Sequence, residues 1–281
     1  MSLLERIKRS DVRREPFPHI LIENAFDDQL CSRLVRDFPP LASFTRGRAR
    51  PEAHKCLRRS DELLADPSLS PAWREVMVEA RSPATAKALF DLLGSEVLRE
   101  YPAFTEEFGS PDGISGGATD SDGPTMFFMS PSLAVCTPVR AGFRSERAPH
   151  VKLPDKVIET NLFLRAAEDE TPGGEIELFE VRPGFEPEFS QRNQVSRDCL
   201  RLVRSVPYRA NTMLMMVNTP RSIQQIAVRG RGAHPLQWMN INLKVRQPLF
   251  ALPTDENVSA RRPGGGWRSF SKFLRGSVTA P

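Results

Sequence analysis

The chain has 281 residues, 40% of them hydrophobic, a length that suits one large domain with additions and is enough to bury a sizeable core. Its net charge is only +4, and its 39 lysines and arginines are spread along the chain without interleaved aromatics, a helix-turn-helix or a zinc module, which argues against nucleic acid as a partner. No apolar run reaches the roughly 18 residues of a membrane span, and MSLLERIKRSDVRRE is charged too early for a signal peptide, so a cytoplasmic protein with no membrane partner is expected.

Residues 1–14 read as a short amphipathic helix with Leu3, Leu4 and Ile7 on one side. EPFPHILIENAF follows, held open by Pro16 and Pro18, and its alternating apolar positions predict a strand. Asp27 or Asp28 can cap a helix whose Leu30, Leu34, Val35 and Phe38 share one face before Pro39-Pro40 stops it. Residues 41–66 are polar and arginine-rich and read as a solvated loop with a short helical turn. Ser70-Pro71 and Ser82-Pro83 open two helices. Serine at the cap satisfies a free amide, and proline in the first turn has none to satisfy. Trp73, Val76 and Met77 mark the first of these helices, and Ala86, Leu89, Phe90 and Leu93 the second, with Gly94 as its end. Both are expected to pack outside a β-core as scaffold.

Residues 104–125 are rich in Gly, Ser and Asp and read as a loop that could act as a lid. MFFMSPSLAVCTPVRAGFR supplies one or two strands leading to His150. Val157, Ile158, Leu162, Phe163 and Leu164 then form a strand-like run that stops at AAEDETPGG, and Ile176, Leu178 and Phe179 open the returning strand. A long insertion follows, with RDCLRLVRSV strand-like inside it, and the last strands are predicted over 212–218, 222–228 and 236–245. In WMNINLKV, Trp238, Asn240 and Asn242 fall on one face and Met239, Ile241 and Leu243 on the other. Residues 1–252 therefore read as one domain and 253–281 as a basic tail. In that tail a glycine hinge precedes Trp267, Phe270, Phe273 and Leu274, a short amphipathic helix suited to docking on its own domain or on a second subunit of a homodimer. Cys31, Cys56, Cys136 and Cys199 are widely separated with no C-x-x-C and read as reduced and buried.

Two phrases carry a resemblance. HVKLPDKVIETNLFL with its later Gly173-Gly174 turn, and the strand ending in Asn218-Thr219-Pro220-Arg221-Ser222, resemble the two halves of the metal site in the iron(II)/2-oxoglutarate-dependent oxygenases of the double-stranded β-helix type. His150 falls on the first histidine, Lys156 and Gly173-Gly174 on flanking landmarks, and Pro18-His19-Ile20 on an early strand of the same group. The resemblance spans residues 16–245. It implies an α+β fold with a double-stranded β-helix (jelly-roll, cupin-like) core and N-terminal flanking helices.

At the ligand positions the chain departs from the family. The acidic ligand falls on Lys152 and the second histidine on Gln224, or on Gln225 if the register slips by one. The arginine that pairs with the far carboxylate of 2-oxoglutarate falls on His234, Leu236 or Gln237, while Arg229 and Arg231 read as a hairpin turn, VRGRG. A facial-triad iron(II) site needs two imidazoles and a carboxylate, and an ammonium has no lone pair to offer a cation. Two unit charges about 4 Å apart at an effective dielectric near 20 interact by roughly 4 kcal/mol, and a divalent ion doubles this, so Lys152 should oppose metal entry. Asp155 and Glu159 lack the offset of the missing carboxylate. The other histidines read as structural (His19), as a solvated loop residue (His54) and as a strand start (His234).

The expectation is therefore no metal ligand set and no cofactor. The first reading is a metal-independent enzyme of lyase, isomerase or cyclase type acting on a small-molecule substrate in a biosynthetic pathway. His150, Lys152 and Gln224 are its catalytic candidates, and Gln237, His234 and Asn240 its substrate-binding candidates. The second is a non-catalytic pseudo-oxygenase, a binding or assembly partner, marked by a filled cavity and by Lys152 paired to an acid such as Glu175 or Glu177. The third is an iron(II)/2-oxoglutarate hydroxylase with substituted ligands.

Overall fold

A computed structural model describes residues 3–109, 127–141, 148–190 and 193–251. The runs KVIETNLF and TMLMMV, buried on both faces, form two long central strands, β5 (Lys156–Phe163) and β8 (Thr212–Val217), with Ile158 opposite Val217 and Leu162 opposite Met213. β8 also pairs β1 (His19–Glu23), while β5 pairs β10 (Leu236–Asn240), which carries β4 (Ser132–Cys136) and the edge strand β2 (Lys55–Arg59). β11 (Leu243–Val245) joins β5 to β3 (Phe127–Met129) and completes an eight-stranded antiparallel sheet. Facing it is a three-stranded sheet in the order β7 (Leu200–Val206), β6 (Ile176–Val181), β9 (Ile223–Ile226). His150 extends this small sheet by one antiparallel bridge to Gln224.

From β4 the chain crosses to the small sheet at His150, returns as β5, crosses again as β6 and β7, returns as β8, crosses as β9 and returns as β10. That alternation is the expected jelly roll. Strand period fixes the two faces of β5. Ile158 and Leu162 join the core under the helices, and Phe163 points between the sheets with Ile176, Leu214, Met216 and Trp238.

The helices cover the outer face of the large sheet. In α1 (Asp28–Arg36) the cap is Asp27, whose carboxylate accepts from the amides of Gln29 and Leu30. Ser70 and Ser82 cap α4 (Pro71–Ala80) and α5 (Pro83–Glu100) by accepting from the amides of Trp73 and Thr85. Each cap is worth about 1 kcal/mol. Trp73, Val76, Leu89 and Leu93 are fully buried, and each large apolar side chain so placed contributes roughly 2 kcal/mol.

Several expectations need correction. The first 14 residues form no α-helix in their described part, but a turn, a 3-10 helix at Arg9–Asp11 and a bridge from Arg13 to His19, yet Leu3, Leu4 and Ile7 are buried as their spacing suggested. The stretch 41–66 is no simple loop: it contains α2 (Leu41–Thr45), β2 and α3 (Ser60–Leu64). Gly94 does not end α5; it lies mid-helix, where a Cβ would meet the ring of Phe90 at 2.4 Å. The cost of about 1 kcal/mol for a helical glycine is outweighed by burial of Leu92, Leu93 and Val97 around it. Residues 236–245 form two short strands instead of one. Phe104–Phe108 forms helix α6; residues 110–125 of the proposed lid and the tail at 253–281 lie outside the described residues.

Candidate functional site: an ion cluster inside the cup

The Asn218 phrase is a local device that sets the two halves of the site against each other. The Asn218 amide donates to the carbonyls of Leu153 (2.9 Å) and Lys156 (3.1 Å), tying the segment after His150 to the end of β8. The Ser222 hydroxyl donates to the Val217 carbonyl at 2.7 Å and accepts from the Thr219 amide at 3.0 Å, closing a tight turn into β9. Gln224 then lies beside His150, their backbones exchanging hydrogen bonds of 2.9 and 3.1 Å across 74 residues of sequence. The Gly173-Gly174 landmark is explained by space and backbone conformation. Gly173 has φ +84° and a Cβ there would meet the Val228 carbonyl oxygen at 2.1 Å; Gly174 has φ +91° with Leu236 at 2.6 Å.

His150, Lys152 and Gln224 line one cavity, together with Asn161, Trp238 and Lys55. Its volume is about 20 Å³, room for about one water molecule. The Lys152 ammonium donates to Glu159 Oε1 at 3.0 Å, and the Lys156 ammonium lies 3.5 Å from Glu159 Oε2. Glu159 is 1% exposed. Burial works against its charge, but Lys152, Lys156 and, more weakly, Lys55 outweigh that and hold its carboxyl well below the usual range. Burial pulls Lys156 below the usual lysine range, Glu159 opposes this, and Lys152 and Lys244 add to it. The ring Nδ1 of His150 lies 3.1 Å from the Ala148 carbonyl, a bond that assigns the ring proton to Nδ1. The Gln224 amide donates to the Met216 sulfur at 3.2 Å.

The three catalytic candidates thus meet at one place. The substrate-binding candidates do not line that cavity. Gln237 lies on the opposite parity of β10 from Trp238, and His234 lies before the strand with its carbonyl near Arg229. The amide of Asn240 is used internally, accepting from Trp238 Nε1 at 3.0 Å and donating to Ser132 at 3.2 Å. Glu175 and Glu177 are not the partners of Lys152; Glu177 accepts from Gln225 at 2.9 Å and pairs with Arg197.

Glu159 is the residue that sequence reasoning discarded. Its signal was parity: with Asn161 and Phe163 it occupies alternate positions of β5, and both of those face the cavity. Arg229 was also read only as part of a hairpin turn. It is buried, pairs with Asp169 and stacks 5.1 Å above the ring of Tyr208.

A facial triad draws on two imidazoles and a carboxylate. Here the cavity lining offers one imidazole and the amides of Asn161, Gln224 and Gln225, and the neighbouring Glu159 carboxylate is already bound to two ammonium groups, a donor set that does not fit iron(II). Among the described residues no three His, Cys, Asp or Glu side chains converge. No described helix is long and apolar enough to cross a membrane.

No family profile matches the sequence, and no curated protein matches it. Solved structures do. A prolyl 4-hydroxylase from Phytophthora capsici is 13% identical, with a TM-score of 0.46 over 87% of this chain; the chain spans 64% of that protein's length. The epimerase SnoN, solved with Fe3+, alpha ketoglutarate and nogalamycin RO, is 11% identical, with a TM-score of 0.48 over 94% of this chain and 92% of its own. The carbocyclase SnoK from nogalamycin biosynthesis is 12% identical, with a TM-score of 0.46 over 96% of each chain.

Proposed function

We propose that this chain is a pseudo-oxygenase: a jelly-roll cup that works without iron(II) or 2-oxoglutarate and serves as a binding or assembly protein. One observation carries the reading. Lys152, which lines a cavity of only about 20 Å³, bonds Glu159 at 3.0 Å, so a self-neutralising ion pair borders the space a metal and cosubstrate would need. Small-molecule sites run to roughly 300–1,000 Å³, and a cavity that holds about one water has no place for a reacting molecule. The pairing also engages both charges: Glu159 is held ionised and accepts from the Lys152 ammonium, so each is committed to the other.

A second reading has an observation of its own. His150, Lys152 and Gln224 share one cavity wall with Trp238, the arrangement of a metal-independent tailoring enzyme of lyase, isomerase or cyclase type, in which a lysine–carboxylate pair opens when a small-molecule substrate enters. Metabolite extracts incubated with the wild type and with Lys152→Met separate the two. Under the pseudo-oxygenase reading no metabolite changes in either incubation, and a product made by the wild type alone contradicts it. Succinate release from 2-oxoglutarate would contradict both.

A further inference from the structure

A second concave surface lies outside the cup and shares no lining residue with the cavity around His150. It is an open groove of about 900 Å³ between the 3-10 helix at Arg9–Asp11, the C-terminal part of α5 and β7. Five arginines line it against two carboxylates. One of those carboxylates, Glu96, is already taken by Arg14 and Arg99. Among the described residues no acid pairs with Arg9, Arg13 or Arg204.

Arg204 is fixed in place without a counter-charge. His19 Nδ1 lies 2.8 Å from the Phe17 carbonyl and so carries the ring proton, which leaves Nε2 to accept from Arg204 Nη1 at 3.1 Å. Burial, opposed by the bond to Phe17 and aided by Arg204 and Arg13, lowers the pKa of His19, in keeping with a neutral ring. Arg13 is brought alongside by its backbone, which exchanges two 2.8 Å hydrogen bonds with His19. A neutral histidine thus holds one guanidinium of the groove lining, with its remaining donors uncommitted among the described residues, and the backbone of Arg13, a second arginine of the lining, is bonded to the same residue. An arginine fork held this way matches phosphate oxygens.

From these contacts we infer that the groove binds a phosphorylated small molecule of the sugar-phosphate class, the phosphate between Arg13 and Arg204 and the hydroxyl-bearing part toward Glu15. The lining has no aromatic ring on which a nucleobase could stack, only Val12 and Val203 as apolar surface. Glu15, which makes no ion pair among the described residues, can accept from sugar hydroxyls. The volume lies in the range of small-molecule sites. The inference does not rest on the pseudo-oxygenase reading.

Calorimetric titration of the full chain with glucose 6-phosphate, inorganic phosphate, glucose and a polyglutamate peptide, at matched ionic strength, tests it. Glucose 6-phosphate should bind saturably and more tightly than inorganic phosphate, and glucose alone should not bind. Arg13→Gln, an exposed position, and Arg204→Gln should each weaken binding roughly tenfold or more. Should Arg204→Gln fail to fold, Arg13→Gln with Arg9→Gln provides the same comparison on exposed residues. No saturable binding, equal affinity for inorganic phosphate, tighter binding of the peptide, or variants that bind like the wild type would each overturn the inference.

Discussion

The Lys152 ammonium lies 3.0 Å from Glu159 Oε1, and the two residues come from different parts of the site: one from the segment after His150, the other from the inward face of β5. A half-buried cation and a fully buried anion thus neutralise each other beside the cavity.

Removing one partner should cost more than removing the interaction. Breaking a buried pair costs about 3–5 kcal/mol because a charge is left uncompensated. Lys156 remains near Glu159, so Lys152→Met is expected at the lower end, about 3 kcal/mol. Urea unfolding of Lys152→Met, Glu159→Leu and the double variant should give a coupling energy above about 1.5 kcal/mol. Additive single effects would mean that the two side chains do not form this contact in solution.

Acid should unfold the protein through the same group. Glu159 and Asp169 are both held below the usual carboxyl range; burial opposes this in each, and Lys152 with Lys156 in one and Arg229 in the other outweigh it. Between their folded values and the ordinary carboxyl value of about 4, the unfolded chain binds more protons than the folded one, so stability rises with pH there and falls as pH drops. Urea midpoints measured from about pH 7 to pH 3 should decline below about pH 5, and the decline should be shallower in the Lys152→Met/Glu159→Leu variant. A flat profile in the wild type contradicts the charge assignment.

The glycine landmark can be separated from ordinary turn strain. Gly47 has φ +67° with open space around its Cβ position, so Gly47→Ala should cost about 1 kcal/mol. Gly173 combines φ +84° with a Val228 carbonyl oxygen 2.1 Å from a new Cβ, and Gly173→Ala should cost about 3 kcal/mol or more. Thermal unfolding of the two variants compares them directly, and equal shifts would mean that the turn between β5 and β6 is looser than described.

Much of the fold could be read from the chain because its strongest patterns were short, β-branched or apolar runs bounded by turn residues. β5 and β8 are such runs, buried on both faces, and the Asn218 phrase and Gly173-Gly174 turn carry specific hydrogen bonds and backbone angles. β2 was missed because Lys55, Leu57 and Arg59 are exposed on an edge strand, where charge is placed to discourage further pairing and hides the alternation. The N-terminal segment buries its leucines without forming an α-helix, since tertiary contacts and not helical period hold them. Within the site, His150, Lys152 and Gln224 were found by spacing along the resembling phrases. Glu159 was lost because a metal-ligand offset was applied to a residue whose role is to neutralise a lysine. Gln237 was placed by counting, and strand parity turns it away from the cavity.

The backbone that joins His150 to Gln224 should be able to hold a metal if a ligand set is supplied. Lys152→Asp with Gln224→His recreates two imidazoles and a carboxylate around positions already linked by the His150–Gln224 bridge. Anaerobic equilibrium dialysis of this variant should show saturable iron(II) uptake at about one ion per chain. No uptake would mean that the backbone at 150–152 or 224 has moved away from ligand geometry.

Iron(II) binding by the wild type is the most direct measure of the central claim. The native chain, dialysed anaerobically against iron(II) with 2-oxoglutarate and then analysed for bound metal and succinate, is predicted to retain no stoichiometric iron and to release no succinate. One tightly held iron per chain, lost on chelation and accompanied by succinate, would contradict the account.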